Sequence, residues 1–148
     1  MPQVDANFFS YLYLDLRNER KHMLFYLTNA GSIKGIDAIE YIELFEKEAK
    51  EEMAHVIEFQ NMIIGLGGNL SDLQAQGYER YEIFTHSEDA LKYALSMEEE
   101  VVDNYVRRIE MAEMLEDKTI KKWLEVFYEK QIEKSQADVD KYKRLLNY

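Results

Sequence analysis

Glu52 and His55 stand three residues apart in "EAKEEMAHVIEF", a spacing that sets a carboxylate and an imidazole on one face of a helix, about one turn apart. Along the line Phe45, Ala49, Glu52, Val56 and Phe59 the carboxylate interrupts an otherwise apolar stripe, so it faces a core. Three other segments hold a polar residue in the matching place. Glu19 lies between Leu12 or Leu16 and Met23 or Tyr26, Glu98 between Leu95 and Val102 or Tyr105, and Gln131 between Leu124 or Tyr128 and Tyr142. The interval from Glu19 to Glu52 equals that from Glu98 to Gln131, and Tyr26 stands to Glu19 as Tyr105 stands to Glu98. One such acid alone is more often a solvated residue; four in register, with a histidine, point to a shared layer.

The chemistry follows from charge. Three carboxylates converging in a medium of low dielectric constant repel one another and take up protons unless a cation neutralises them. Two divalent metal ions remove that cost. Oxygen ligands with one imidazole and no sulfur suit iron or manganese, and zinc is able to occupy the same ligands.

The elements that position these residues are marked by punctuation. The single proline is at position 2, and the glycines fall into two groups, Gly31 with Gly35 and Gly65, Gly67, Gly68 with Gly77. Between them the apolar period predicts helices over about 7–29 and 36–64. "GLGGNLSDLQAQGYERYEIF" has turn residues and little helical period, which fits a crossover along the length of a bundle. A third helix opens at "THSED", with Thr85 and Glu88 as a capping box, and ends near Glu116; a fourth is capped by Asp117 or Thr119 and carries Ile120, Leu124, Tyr128, Tyr142 and Leu145 to the end of the chain. Short, long and short connections describe an all-α four-helix bundle with one crossover, a single domain over 1–148 without strands.

Composition narrows the function. The 148 residues contain no cysteine, so disulfides and thiolate metal sites are absent. The start lacks a signal pattern and no apolar run approaches the about 20 residues of a membrane span, which places the chain in solution in a cytoplasm. A formal charge of −11 repels phosphate backbones and acidic lipid, so nucleic acid and membranes are not expected partners.

On these helices the residues resemble the ferritin and bacterioferritin family. "EEMAHVIEFQNMIIGLGGNLSDL" is similar to the second helix and following turn of bacterioferritin, "ALSMEEEVV" to the third helix of ferritin around its metal-bridging region, and "YEKQIEK" to the fourth-helix segment where ferritins carry a glutamine. The resemblance implies a ferritin-like up-down-down-up bundle and a ferroxidase, with two Fe(II) oxidised by O₂ or peroxide and Fe(III) stored as mineral or retained. It implies one iron site from Glu19, Glu52 and His55, with Glu52 bridging, and a second completed by Glu98 and Gln131. Tyr26 matches the family's tyrosine near the centre, where it hydrogen-bonds a ligand or donates an electron. Met53 matches the methionine that ligates haem iron across a two-fold dimer interface of bacterioferritin, which makes haem b a further implied cofactor; flexible filler is the plainer reading of a lone methionine.

Three departures qualify the match. Where bacterioferritin repeats Glu-x-x-His in its fourth helix, this chain has Gln131 and Lys134, so the second iron is expected to be weakly held. Moving that helix by two residues offers Glu133 and Gln136, but on a face of Glu129, Asp140 and Lys143, and Gln131 is preferred. His22 makes an extra Glu-x-x-His with Glu19, yet Arg20 and Lys21 before it predict a surface histidine or one behind the ligands; His86, at the helix-three cap, is assigned no chemistry. The resemblance implies a homo-oligomer, a dimer at least, with a 24-subunit shell as the family's full assembly, but family members line the four-fold channel of that shell with a short fifth helix, and this chain stops at Asn147 and Tyr148. Two other functions fit the same residues: a ferritin-like di-metal oxidase or peroxidase without mineral storage, and a metal-free helical bundle acting as an interaction module. A Dps-like mini-ferritin fits less well, because its iron site lies between subunits.

Overall fold

The absence of proline beyond position 2 leaves long stretches free to complete helical hydrogen bonding, and glycine and asparagine end them. The computed structural model describes residues 6–71, 73 and 80–148, excluding the side chain of Ala6. It has four helices in chain order, α1 (Ala6–Ser32), α2 (Ala38–Gly65), α3 (Ser87–Ala112) and α4 (Lys118–Leu145), and no strand among the described residues. None of these helices is long and apolar enough to cross a membrane. The chain divides into two compact units, one ending at Ser87 and the other running from Glu88 to Tyr148.

The first unit is built on the α1–α2 hairpin. Its helices are antiparallel, since Phe25 and Tyr26 of α1 meet Phe45 of α2 while Glu19, earlier in α1, meets His55, later in α2. Gly35, at φ +114°, turns the chain between them in the left-handed region that a side chain disfavours. At the end of α2 the N–H groups of Gly67 and Gly68 donate to the carbonyls of Ile64 (3.0 Å) and Ile63 (2.8 Å), a Schellman closure with Gly67 at φ +91°. Gly68 is also sterically required: a Cβ there would come within 2.7 Å of both Ile63 and Phe9.

The returning part of the crossover is clasped by Asn29, which is fully buried in the last turns of α1. Its Nδ2 donates to the carbonyls of Phe25 and Glu82, both at 2.9 Å, and its Oδ1 accepts from the Phe84 N–H at 2.7 Å. Ser32 Oγ adds a bond to the Phe84 carbonyl at 2.6 Å, and the Thr28 and Tyr81 hydroxyls meet at 2.8 Å. The middle of the predicted crossover, at 72 and 74–79, lies outside the described residues.

In the second unit α3 and α4 are joined through 113–117, and Tyr105 meets Tyr128 edge to face, ring centroids 5.1 Å apart. The Asp117 carboxylate accepts from the N–H groups of Thr119 (2.9 Å) and Ile120 (3.1 Å), so Asp117 is the cap of α4. Asn147, at φ 60°, closes the other end, with the N–H of Tyr148 donating to the Lys143 carbonyl at 2.8 Å. Three expected details are corrected. Helix α3 begins at Ser87 instead of directly after Thr85, whose carbonyl accepts from the Lys34 N–H at 2.9 Å. The same helix ends at Ala112, short of Glu116, because the chain must turn before the Asp117 cap. Leu145 is half exposed in the last turn of α4, beyond the buried stripe that ends at Tyr142.

Candidate metal centre

Each helix of the first hairpin carries a glutamate followed three residues later by a histidine: Glu19 and His22 on α1, Glu52 and His55 on α2. Residues three apart on a helix share a face, and the antiparallel pairing brings the two motifs to the same level. All four side chains are buried, Glu19 and Glu52 at 2% exposure and His22 and His55 at 8%.

His55 Nδ1 lies 3.6 Å from a Glu19 carboxylate oxygen and 3.4 Å from one of Glu52. Ligand atoms of Glu19, His22 and Glu52 all fall within 4.8 Å of one another. Two ligands of one cation, at bond lengths of about 2.0–2.2 Å, are no more than about 4.4 Å apart, so a slight closing of these side chains completes a coordination shell. The donor set of buried carboxylate and imidazole therefore fits a divalent transition metal.

Electrostatics point the same way. Burial on its own would raise the Glu19 pKa, but hydrogen bonding with Glu52 and His55 and the nearby charges of His22 and His55 outweigh it and lower the value from 4.5 to about 2.

Tyr26 is fully buried two turns along α1 from Glu19, its ring 5.3 Å from those of Phe25 and Phe45. In the second unit Glu98 and Gln131 are buried in the middle of α3 and α4, at 1% and 2% exposure. Glu133 is exposed, consistent with the helix register that turns Gln131 inward. The Lys134 ammonium donates to both oxygens of Asp138, at 3.1 and 3.2 Å, along α4. Met53 is 51% exposed on α2 and lines an open groove of about 420 Å³ with Met23, Leu27, Ala49 and Lys50, so it is not core filler. His86 is exposed ahead of α3.

His22 corrects the expectation of a surface residue. Arg20 is exposed, but the helical turn carries the chain back to the face of Glu19 by the third residue, and His22 enters the interior with it. Asp15 and Glu48, buried at 1% and 0%, escaped the sequence reading altogether. Their signal was present, since each precedes a site glutamate by four residues and so shares its face.

The family model for the ferritin-like domain matches residues 10–147. No curated protein matches the sequence. Among solved structures, a ferritin-like diiron-carboxylate protein from Bacillus anthracis is 25% identical, with 95% of each chain covered and a TM-score of 0.81. Bacterioferritin from Mycobacterium tuberculosis is 19% identical, with 98% of this chain and 87% of that one covered and a TM-score of 0.78. Dps from Thermosynechococcus elongatus is 16% identical, covers 95% and 90% respectively, and has a TM-score of 0.78. These matches show an all-α, ferritin-like four-helix-bundle fold.

Proposed function

This chain belongs to the ferritin-like domain family, and we propose that it is a di-iron ferroxidase, taking up Fe(II) and oxidising it to Fe(III) with O₂ or peroxide for storage or detoxification. The observation that carries the reading is the buried contact of Glu19, Glu52 and His55 within the first hairpin. Iron is here the substrate. Glu19, Glu52 and His55 hold the first ion, and Glu98 and Gln131 are the residues that the family resemblance assigns to a second. The carboxylate oxygens favour the harder Fe(III), which lowers the cost of oxidation, and the surrounding apolar stripe limits water. Tyr26, in its aromatic cluster, hydrogen-bonds at the centre or supplies an electron. Manganese and zinc occupy the same ligands.

Met53 supports a haem as a second bound group. Its thioether is open to the groove on the α1–α2 face, where Leu27, Ile57 and Ile64 are also half exposed, and a second copy of the chain on this face would bring two such methionines together. The chain is then a cytoplasmic homo-oligomer, a dimer at least. A Soret band after expression with haem supplied, lost in Met53→Leu, is the expected result for that site.

The ferroxidase reading is tested by aerobic Fe(II) addition to the metal-free protein followed in the near-ultraviolet. Fast oxidation saturating at about two irons per chain is expected. A rate no greater than that of Fe(II) in buffer alone would end the proposal.

A further inference from the structure

We propose that His22 is a metal ligand, so that the α1–α2 hairpin by itself carries a cation site of two carboxylates and two imidazoles, which fills with Fe(II), Co(II) or Zn(II) before any second metal binds. The inference rests on the assignment of Glu19, Glu52 and His55 to the metal centre, and adds a ligand and an order of filling to it.

Position is the first argument. His22 is buried at 8% exposure, as deeply as His55, and one of its ring nitrogens lies with oxygens of Glu19 and Glu52 inside a 4.8 Å cluster. Topology is the second. Each histidine follows its glutamate by three residues, and α1 and α2 run in opposite directions, so the two imidazoles lead away from the glutamates toward opposite ends of the hairpin, and each approaches the Glu19–Glu52 pair from its own helix. The third is ligand chemistry. A second imidazole moves the preference away from manganese, the weakest binder of the divalent series, toward iron, cobalt and zinc, which accept nitrogen readily. The second-unit residues Glu98 and Gln131 offer oxygen only, and Lys134 is engaged with Asp138, which makes any position relying on them the weaker one.

The chain contains three histidines, so the imidazoles on a bound metal come from His22, His55 or His86 alone. The test titrates the metal-free protein with Co(II) without oxygen, follows the d–d absorption, and counts imidazoles by X-ray absorption at one equivalent. The expected result is two imidazoles on cobalt in the unmodified protein and in His86→Gln. His22→Gln and His55→Gln are each expected to leave one imidazole and weaken binding at least about tenfold. One imidazole on cobalt in the unmodified protein overturns the proposal without reliance on any variant. So does a His22→Gln protein with unchanged affinity and spectrum, and if His55→Gln then still loses binding, the metal centre survives while His22 leaves it. Absence of Co(II) binding to the unmodified protein overturns both.

Discussion

Replacing Glu52 with glutamine separates a metal centre from a purely structural polar layer. In the metal-free protein a hydrogen bond with Glu52 is among the interactions that hold the Glu19 pKa down at about 2. A glutamine amide has nearly the shape of a carboxyl group and its N–H donates to the Glu19 carboxylate, so metal-free stability is expected to change by less than about 1 kcal/mol. Metal binding is another matter, because the amide cannot become an anionic ligand. A cation at one hundred times its Kd stabilises the unmodified chain by about 2.7 kcal/mol. For a chain of this length that is a rise in Tm of about 8 °C. Thermal unfolding with and without Zn(II) or anaerobic Fe(II) reads both quantities. The expected outcome is a Glu52→Gln protein with a near-normal Tm when metal-free and little or no rise when metal is added. The reasoning is refuted if the variant keeps the full metal-induced rise, which would place the metal elsewhere, or if its metal-free Tm collapses, which would make Glu52 a structural group.

Three further outcomes follow from particular contacts. Asn29→Ala removes three hydrogen bonds at the clasp on the crossover and should cost about 3 kcal/mol and lower Tm by about 6–12 °C, measured on the metal-free protein; a fall under about 2 °C would show that the clasp is not what holds 82–84. Asp117→Ala deletes the α4 cap and should cost about 1 kcal/mol in denaturant unfolding, with Asp117→Asn close to neutral. Because the Glu19 pKa is lowered from 4.5 to about 2 on folding, its contribution to stability is complete above pH 4.5 and disappears as pH falls through about 2. Stability of the metal-free chain should therefore drop with acid across that window, and Glu19→Gln should flatten the drop; an unchanged slope would count against an ionised, buried Glu19.

Much of the fold was legible because helix ends carry local signals. The glycines after α2 and the aspartate before α4 each act on backbone groups within a few residues, so their meaning is contained in the stretch where they occur. Thr85 shows where that reasoning stops. Its sequence context describes a helix cap, but the carbonyl is taken by Lys34, a partner remote in sequence. Asn29 is the same case at greater depth. Nothing around it announces a buried clasp, since its partners Glu82 and Phe84 are brought there only when the crossover returns.

The proposed metal ligands divide along a different line. Glu19, Glu52, Glu98 and Gln131 are visible because each interrupts a stripe whose apolar members define the inward face, and a polar residue framed in this way has no place on the surface. His22 has the same framing, three residues after Glu19, yet Arg20 and Lys21 argue for solvent if neighbours in sequence are taken as neighbours in space. On a helix they are not: consecutive residues point in successive directions around the axis, and the residue sharing a face is three or four away. Angular position therefore outranks the character of adjacent residues, and Asp15 and Glu48 obey the same rule. Applied to both helices of the hairpin, the rule doubles the histidines facing the carboxylate pair, and with them the nitrogen available to the metal. That difference in donor set is large enough to appear directly in the coordination of cobalt, independently of any turnover.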